Sequence, residues 1–401
     1  MSKIVRKETM SHNAVSIYHI ALTLVGYMSF YNALVALNKI SKEKNNRKNR
    51  NLQKFLQFAN TSVFKDFSIA LNELYEFIET IMPGVLKQHN KTEPRFDEFL
   101  RFIKKTKNNM KFHPSETKMN KILVTQKDQY PNMWGIKNKD VIYYCGYFMG
   151  RNVVFGSNLY YEYVFYEPTT KVCKKEEDLL LFTSSIQTHM ETIYRMFEEY
   201  LFANDLDIPE IKLKKQKRFF QIYPETTTSE KIFKKSTYDK VTTFMLLLIL
   251  EEIAGMQVYY DYYFDIEEST KSSLLLFFFT YILAIKYDEI RDCLEILINN
   301  KENKYDERLK TDFVKMNVLK KEVTDFAYKL RNSYHHTEVG KYTVAKDGST
   351  EKINIKMEDL YLKLTESHKW PDDYIKMLNA MKEELNIISD FCRKHIGIKY
   401  G

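Results

Sequence analysis

Apolar residues recur at three- and four-residue spacing over residues 63–82, at Phe64, Phe67, Leu71, Leu74, Tyr75 and Ile78. This spacing predicts an amphipathic helix, stopped by Pro83-Gly84. A second helix is expected over 94–107. Between 140 and 168 the period changes. V-I-Y-Y-C-G-Y-F-M and L-Y-Y-E-Y-V-F-Y are aromatic and β-branched, and Gly150-Arg151-Asn152 and Gly156-Ser157-Asn158 are turn signals, so two or three antiparallel strands are predicted. Helical spacing returns over 176–202, with Leu179, Phe182, Ile186, Met190, Ile193, Met196 and Phe197 on one side.

Residues 209–233 are polar, with Pro224, a Thr226-Thr227-Thr228-Ser229 run and basic residues Lys212, Lys214, Lys215, Lys217 and Arg218. This is the expected boundary. It divides the chain into an N-terminal helical domain with a β insertion (1–208), a basic and polar linker (209–233) and a C-terminal domain (234–401). Its five basic residues fit a solvated linker better than a strip that follows RNA phosphates, because nothing in the sequence fixes their geometry.

Beyond the linker, 241–254 and 273–298 are apolar enough to predict deeply buried helices, and 305–334 predicts one long amphipathic helix. Lys341-Tyr342-Thr343-Val344 and Lys352-Ile353-Asn354-Ile355, joined across Asp347-Gly348, are expected to pair as a hairpin. A final helix is predicted over 371–397, opened by Pro371, with Ile375, Leu378, Met381, Leu385, Ile388 and Phe391 facing inward. The two halves share a plan: paired helices, a basic segment with histidine, strands, then a closing helix.

Composition agrees with this pattern. With 29 Tyr and 27 Phe but only 11 Gly and 8 Pro, the chain favours long helices over an all-β sandwich, which needs Gly and Pro at many corners. The expected fold class is mainly α, helical bundles with small antiparallel hairpin insertions. A net charge of +8 is compatible with a polyanionic partner but modest for 401 residues. Cys145, Cys173, Cys293 and Cys392 form no C-x-x-C pair, so neither a zinc site nor a disulfide framework is expected, and a reducing cytoplasm fits. No Lys, Arg, Asp or Glu occurs over 9–38, a stretch long enough to span a bilayer. Ser16, His19, Thr23, Ser29 and Asn32 within it are costly in lipid and favour a core helix instead. No Walker A loop, G-x-G-x-x-G, G-x-S-x-G or H-E-x-x-H occurs, which removes support for NTPase, dehydrogenase, α/β-hydrolase and zinc-protease readings.

The candidate chemistry lies in K-L-R-N-S-Y-H-H-T-E-V-G, where Arg331, Asn332 and His336 form R-N-x-x-x-H at the end of a helical stretch. On an ideal helix Asn332 and His336 share a face, and Arg331 stands about 140° from His336, a gap its long side chain can bridge. A guanidinium that grips phosphate, an amide, and an imidazole that moves protons near neutral pH are the parts needed to cleave RNA. His335 is the second candidate proton carrier. The plain alternative is that His335 and His336 cap a helix C-terminus.

A long helix ending in R-N-x-x-x-H resembles the HEPN superfamily, helical ribonuclease and nucleotide-binding domains of toxins, abortive-infection proteins and CRISPR effectors. The likeness is best over 273–397. In the first half, K-N-N-M-K-F-H offers Lys107, Asn108 and His113, similar to the motif but with Lys for Arg and one extra residue of spacing. A lysine cannot hold phosphate bidentately, so this copy is read as degenerate. The resemblance implies a site formed where two motifs meet, either across a homodimer or between the two halves of one chain. It implies attack of an RNA 2′-hydroxyl on the adjacent phosphodiester, giving a 2′,3′-cyclic phosphate, with His336 as base or acid, Arg331 on the phosphate and Asn332 orienting. Neither metal nor cofactor is called for.

Single-stranded or loop RNA, including tRNA, is the implied substrate, and an antitoxin or phage trigger the implied control. A Tyr or Phe at helical spacing is more often core than a stacking platform, so the aromatics alone do not identify a substrate. Two other readings stay open: a catalytically silent HEPN module that binds RNA, a nucleotide or a protein, and a membrane-associated defence protein anchored by 9–38.

Overall fold

The computed structural model describes residues 143–148, 151–157, 221–223, 236–258, 273–299, 307–335, 342–344, 350–352, 368–369 and 371–396. This region is mainly α-helical. Its elements in chain order are β1 (Tyr143–Phe148), β2 (Arg151–Ser157), β3 (Gln221–Tyr223), α1 (Lys240–Val258), α2 (Ser273–Asn299), α3 (Glu307–Met316), α4 (Lys321–His335), β4 (Tyr342–Val344), β5 (Thr350–Lys352) and α5 (Asp372–Ile396). The segments expected to be helical over 63–82, 94–107 and 176–202, and the apolar stretch 9–38, lie outside the described residues. Among the described residues no helix is long and apolar enough to cross a membrane.

Helix α1 starts where Asp239 caps it. Its carboxylate accepts the Thr242 backbone N–H at 2.9 Å and the Thr242 hydroxyl at 2.8 Å, satisfying one of the donors that a helix N-terminus leaves unpaired. Phe244, Leu246, Leu247, Leu248, Ile249 and Leu250 follow, all fully buried. Six nearly consecutive residues cannot hide on one stripe of a helix, so α1 is covered on every side. The cover comes from α5, α2 and strand β2.

Helix α2 is the other central element, packed on α4, α5 and α1. Its first half contributes Leu276, Phe279, Ile282, Leu283 and Ile285 to the core. Helix α5 closes the bundle with Tyr374, Met377, Leu378, Met381, Leu385, Ile388, Phe391 and Cys392 inward. Its acidic first turn (Asp372, Asp373) and basic last turn (Arg393, Lys394, His395) both complement the helix dipole. Cys293 and Cys392 are buried and free, and burial pushes both thiols above their ordinary pKa.

The long helix expected over 305–334 is instead two helices. Residues 317–320 interrupt it, with Asn317 at φ 51° and Leu319 at φ 59°. Neither conformation continues a right-handed helix. The reason is tertiary: the Leu319 N–H donates to the Glu384 carboxylate of α5 at 2.6 Å, and Glu384 is 3% exposed. That buried acceptor also takes the Tyr287 hydroxyl of α2. Periodicity alone could not reveal it, because the partner lies 65 residues away.

β1 pairs antiparallel with β2 and with β3 in the order β2-β1-β3, with a register shift at Tyr144/Cys145. β3 comes from within 209–233, so part of the segment between the halves is hydrogen-bonded to a strand of the first. β4 and β5 pair antiparallel, Tyr342 opposite Lys352 and Val344 opposite Thr350.

Candidate functional site

Arg331 stands in the last described turn of α4, and α2 presents D-E-I-R-D beside it. Asp288 is 1% exposed, and a carboxylate so deep in an apolar helix must be paired. Two guanidiniums serve it. Arg331 Nη1 donates to Asp288 Oδ2, and Arg291 Nη1 lies 2.7 Å from Asp288 Oδ1. Arg291 also reaches Asp292 at 2.6 Å and Glu295 at 3.8 Å. Asp292 Oδ2 lies 3.7 Å from Arg331 Nη1. Arg331 is thus anchored from the neighbouring helix, with its side chain 14% exposed.

The electrostatics follow from this packing. Burial raises the Asp288 pKa above its ordinary value, and the hydrogen bond from Arg331 and the charge of Arg291 only partly oppose that rise. For Arg331, burial works against the charged form, but the hydrogen bond to Asp288 and the charges of Glu289, Asp288 and Asp292 overcome it. The guanidinium stays charged. Its Nε is buried and carries no hydrogen bond.

Behind the arginines lies a second buried charged group. Lys286 of α2, 0% exposed, places Nζ 3.1 Å from Glu252 of α1 and 3.8 Å from Glu289. It ties α1 to α2 just below the arginine cluster. Breaking such a buried group by removing one partner generally costs about 3–5 kcal/mol.

The sequence-predicted residues divide as follows. Arg331 is described in full. Asn332 and His335 are backbone positions of α4 within one turn of it. His336, the degenerate Lys107, Asn108 and His113, and the basic Lys212, Lys214, Lys215, Lys217 and Arg218 lie outside the described residues. Sequence reasoning missed Asp288, Arg291 and Asp292. A signal was present: charged residues set in an otherwise apolar helix are seldom buried unless paired, which marks them as partners for a charge elsewhere. Among the described residues, no group of three or more His, Cys, Asp or Glu side chains could hold a metal ion. No protein family, curated protein or solved structure matches this chain.

Proposed function

We propose that the chain is a HEPN-type endoribonuclease, built from helical bundles with hairpin insertions, that cleaves single-stranded or loop RNA in a defence or toxin setting. The observation that carries this reading is Arg331: charged, held by Asp288 of α2, which Arg291 also contacts, and with its side chain 14% exposed. A fork fixed in this way suits a phosphodiester. Asp292, 39% exposed at its side chain, is the group that phosphate oxygens displace as they approach.

In the reaction the RNA 2′-hydroxyl loses its proton to a base, a new 2′-O–P bond forms, and the P–O5′ bond breaks as O5′ takes up a proton. Arg331 holds the charged phosphoryl oxygens as the transition state develops. His336 performs one of the two proton transfers. Because each motif supplies one His336, two copies meeting across a two-fold axis supply both, which favours a homodimer over pairing with the degenerate Lys107/His113 set.

The test is cleavage of total RNA and tRNA in the presence of EDTA by the parent protein and by Arg331→Ala, Arg331→Lys and His336→Ala variants, with product ends identified. Arg331→Ala and His336→Ala each lower kcat by roughly a hundredfold or more, and Arg331→Lys recovers little because the fork is lost. Cleavage that survives these substitutions removes the site; RNA binding without any cleavage by the parent favours a silent binding module.

A further inference from the structure

Tyr328 lies three residues before Arg331 on α4 and is 53% exposed, one of the few large apolar side chains on the described surface. On a helix that separation is about 4.5 Å along the axis and about 60° around it, so the ring and the guanidinium share a face. One side of the ring is occupied: the Arg291 guanidinium carbon sits 5.9 Å from the ring centroid, within range of a cation–π contact. Arg291 is itself pinned by Asp288, Asp292 and Glu295, and Asp288 holds Arg331. The chain of contacts therefore runs from the ring through Arg291 and Asp288 to Arg331.

We infer that Tyr328 is a stacking platform for an unpaired nucleobase attached to the phosphate that Arg331 holds. The inference rests on the ribonuclease reading and deepens it, because it names the side chain that would hold an unpaired base beside the phosphate. A ring braced from one side by a fixed cation offers its other face without reorganisation, and aromatic stacking accepts any base. A paired base has both faces covered by its neighbours in the helix and cannot use the platform. The site therefore selects unpaired nucleotides without reading their sequence.

The experiment measures binding of a fluorescein-labelled, 2′-O-methylated RNA decamer, which cannot be cut, to the full chain. It compares the parent with Tyr328→Ala, Tyr328→Phe and Arg331→Ala, and repeats the parent measurement with the same RNA as a duplex and with one abasic nucleotide placed at each position in turn. Tyr328→Ala is expected to weaken binding roughly tenfold or more, and Tyr328→Phe to restore most of it. The duplex is expected to bind more weakly than the single strand, and an abasic nucleotide at one position to reproduce the loss on the parent, independently of how any variant folds. Equal affinity of the parent and Tyr328→Ala, or indifference to abasic nucleotides at all positions, overturns the platform. If Arg331→Ala still abolishes cleavage in that case, the ribonuclease reading stands alone. If Arg331→Ala changes neither binding nor cleavage, both fall together.

Discussion

At the scale of single residues, Asp288 separates stability from activity. Its pKa is raised in the folded protein, burial being the largest cause. A carboxyl with a raised folded pKa contributes stability that is fully present below its unfolded pKa and is lost as pH rises through the folded value. Asp288→Asn removes that titration. In urea titrations from pH 4 to pH 8 the parent should therefore lose stability relative to Asp288→Asn as the pH rises; under the proposed ribonuclease function, the same variant should also lose RNA cleavage because Arg331 loses its anchor. A parent that gains on the variant with rising pH would mean the arginines outweigh burial. Asn317 allows a second test at this scale. It is exposed and left-handed at φ 51°, a conformation that Asn tolerates and β-branched residues resist. Asn317→Val should lower stability by about 1–2 kcal/mol, and Asn317→Gly should be close to neutral, both read from denaturation midpoints.

At the scale of elements, the turn between α3 and α4 decides where Arg331 ends up. Glu384 of α5 accepts from the Leu319 N–H and the Tyr287 hydroxyl, so one buried carboxylate joins α2, the α3–α4 turn and α5. Glu384→Ala leaves the buried Tyr287 hydroxyl and the part-buried Leu319 N–H without an acceptor and should cost about 2–3 kcal/mol, given roughly 1–3 kcal/mol for a buried unsatisfied group. Chemical denaturation measures the loss, and a change within error would mean that water enters to satisfy both donors. Helices α3 and α5 are also joined at their far ends. Lys394 Nζ lies 2.6 Å from Asp312, His395 Nε2 lies 3.3 Å from the same carboxylate, and His395 Nδ1 is within 2.5 Å of the Tyr238 hydroxyl. The hydrogen bond from Lys394 holds the Asp312 carboxyl below its ordinary pKa. Its contribution is therefore present above the ordinary carboxylate range and is lost as pH falls through the folded value.

At the scale of the whole molecule, α1 sets what can be cut away. It is covered on one side by β2, residues 151–157, which lie beyond the linker expected over 209–233. A fragment beginning at 234 would uncover part of an apolar helix. It should associate or precipitate, while the full chain stays dispersed in size-exclusion chromatography under the same conditions. A monodisperse fragment would show that α1 needs no cover from β2.

Much of this organisation was legible from residue order alone. The helices over 240–258, 273–299 and 372–396 follow from apolar runs and spacing, because burial of a helix face leaves a periodic trace in the sequence. Arg331 stood out too, as part of the short motif on which the proposed function rests. What the sequence could not supply was partnership across distance. The break at 317–320 depends on Glu384, Arg331 is anchored on Asp288, and Tyr328 is braced on Arg291. Each joins residues 37 or more positions apart. The sequence determined which segments are helical and which residue types could do chemistry, since both are local properties. The tertiary structure alone decided which charge neutralises which, where a helix stops, and which aromatic ring is left facing outward, because those outcomes depend on burial and on hydrogen-bond acceptors that distant segments bring in.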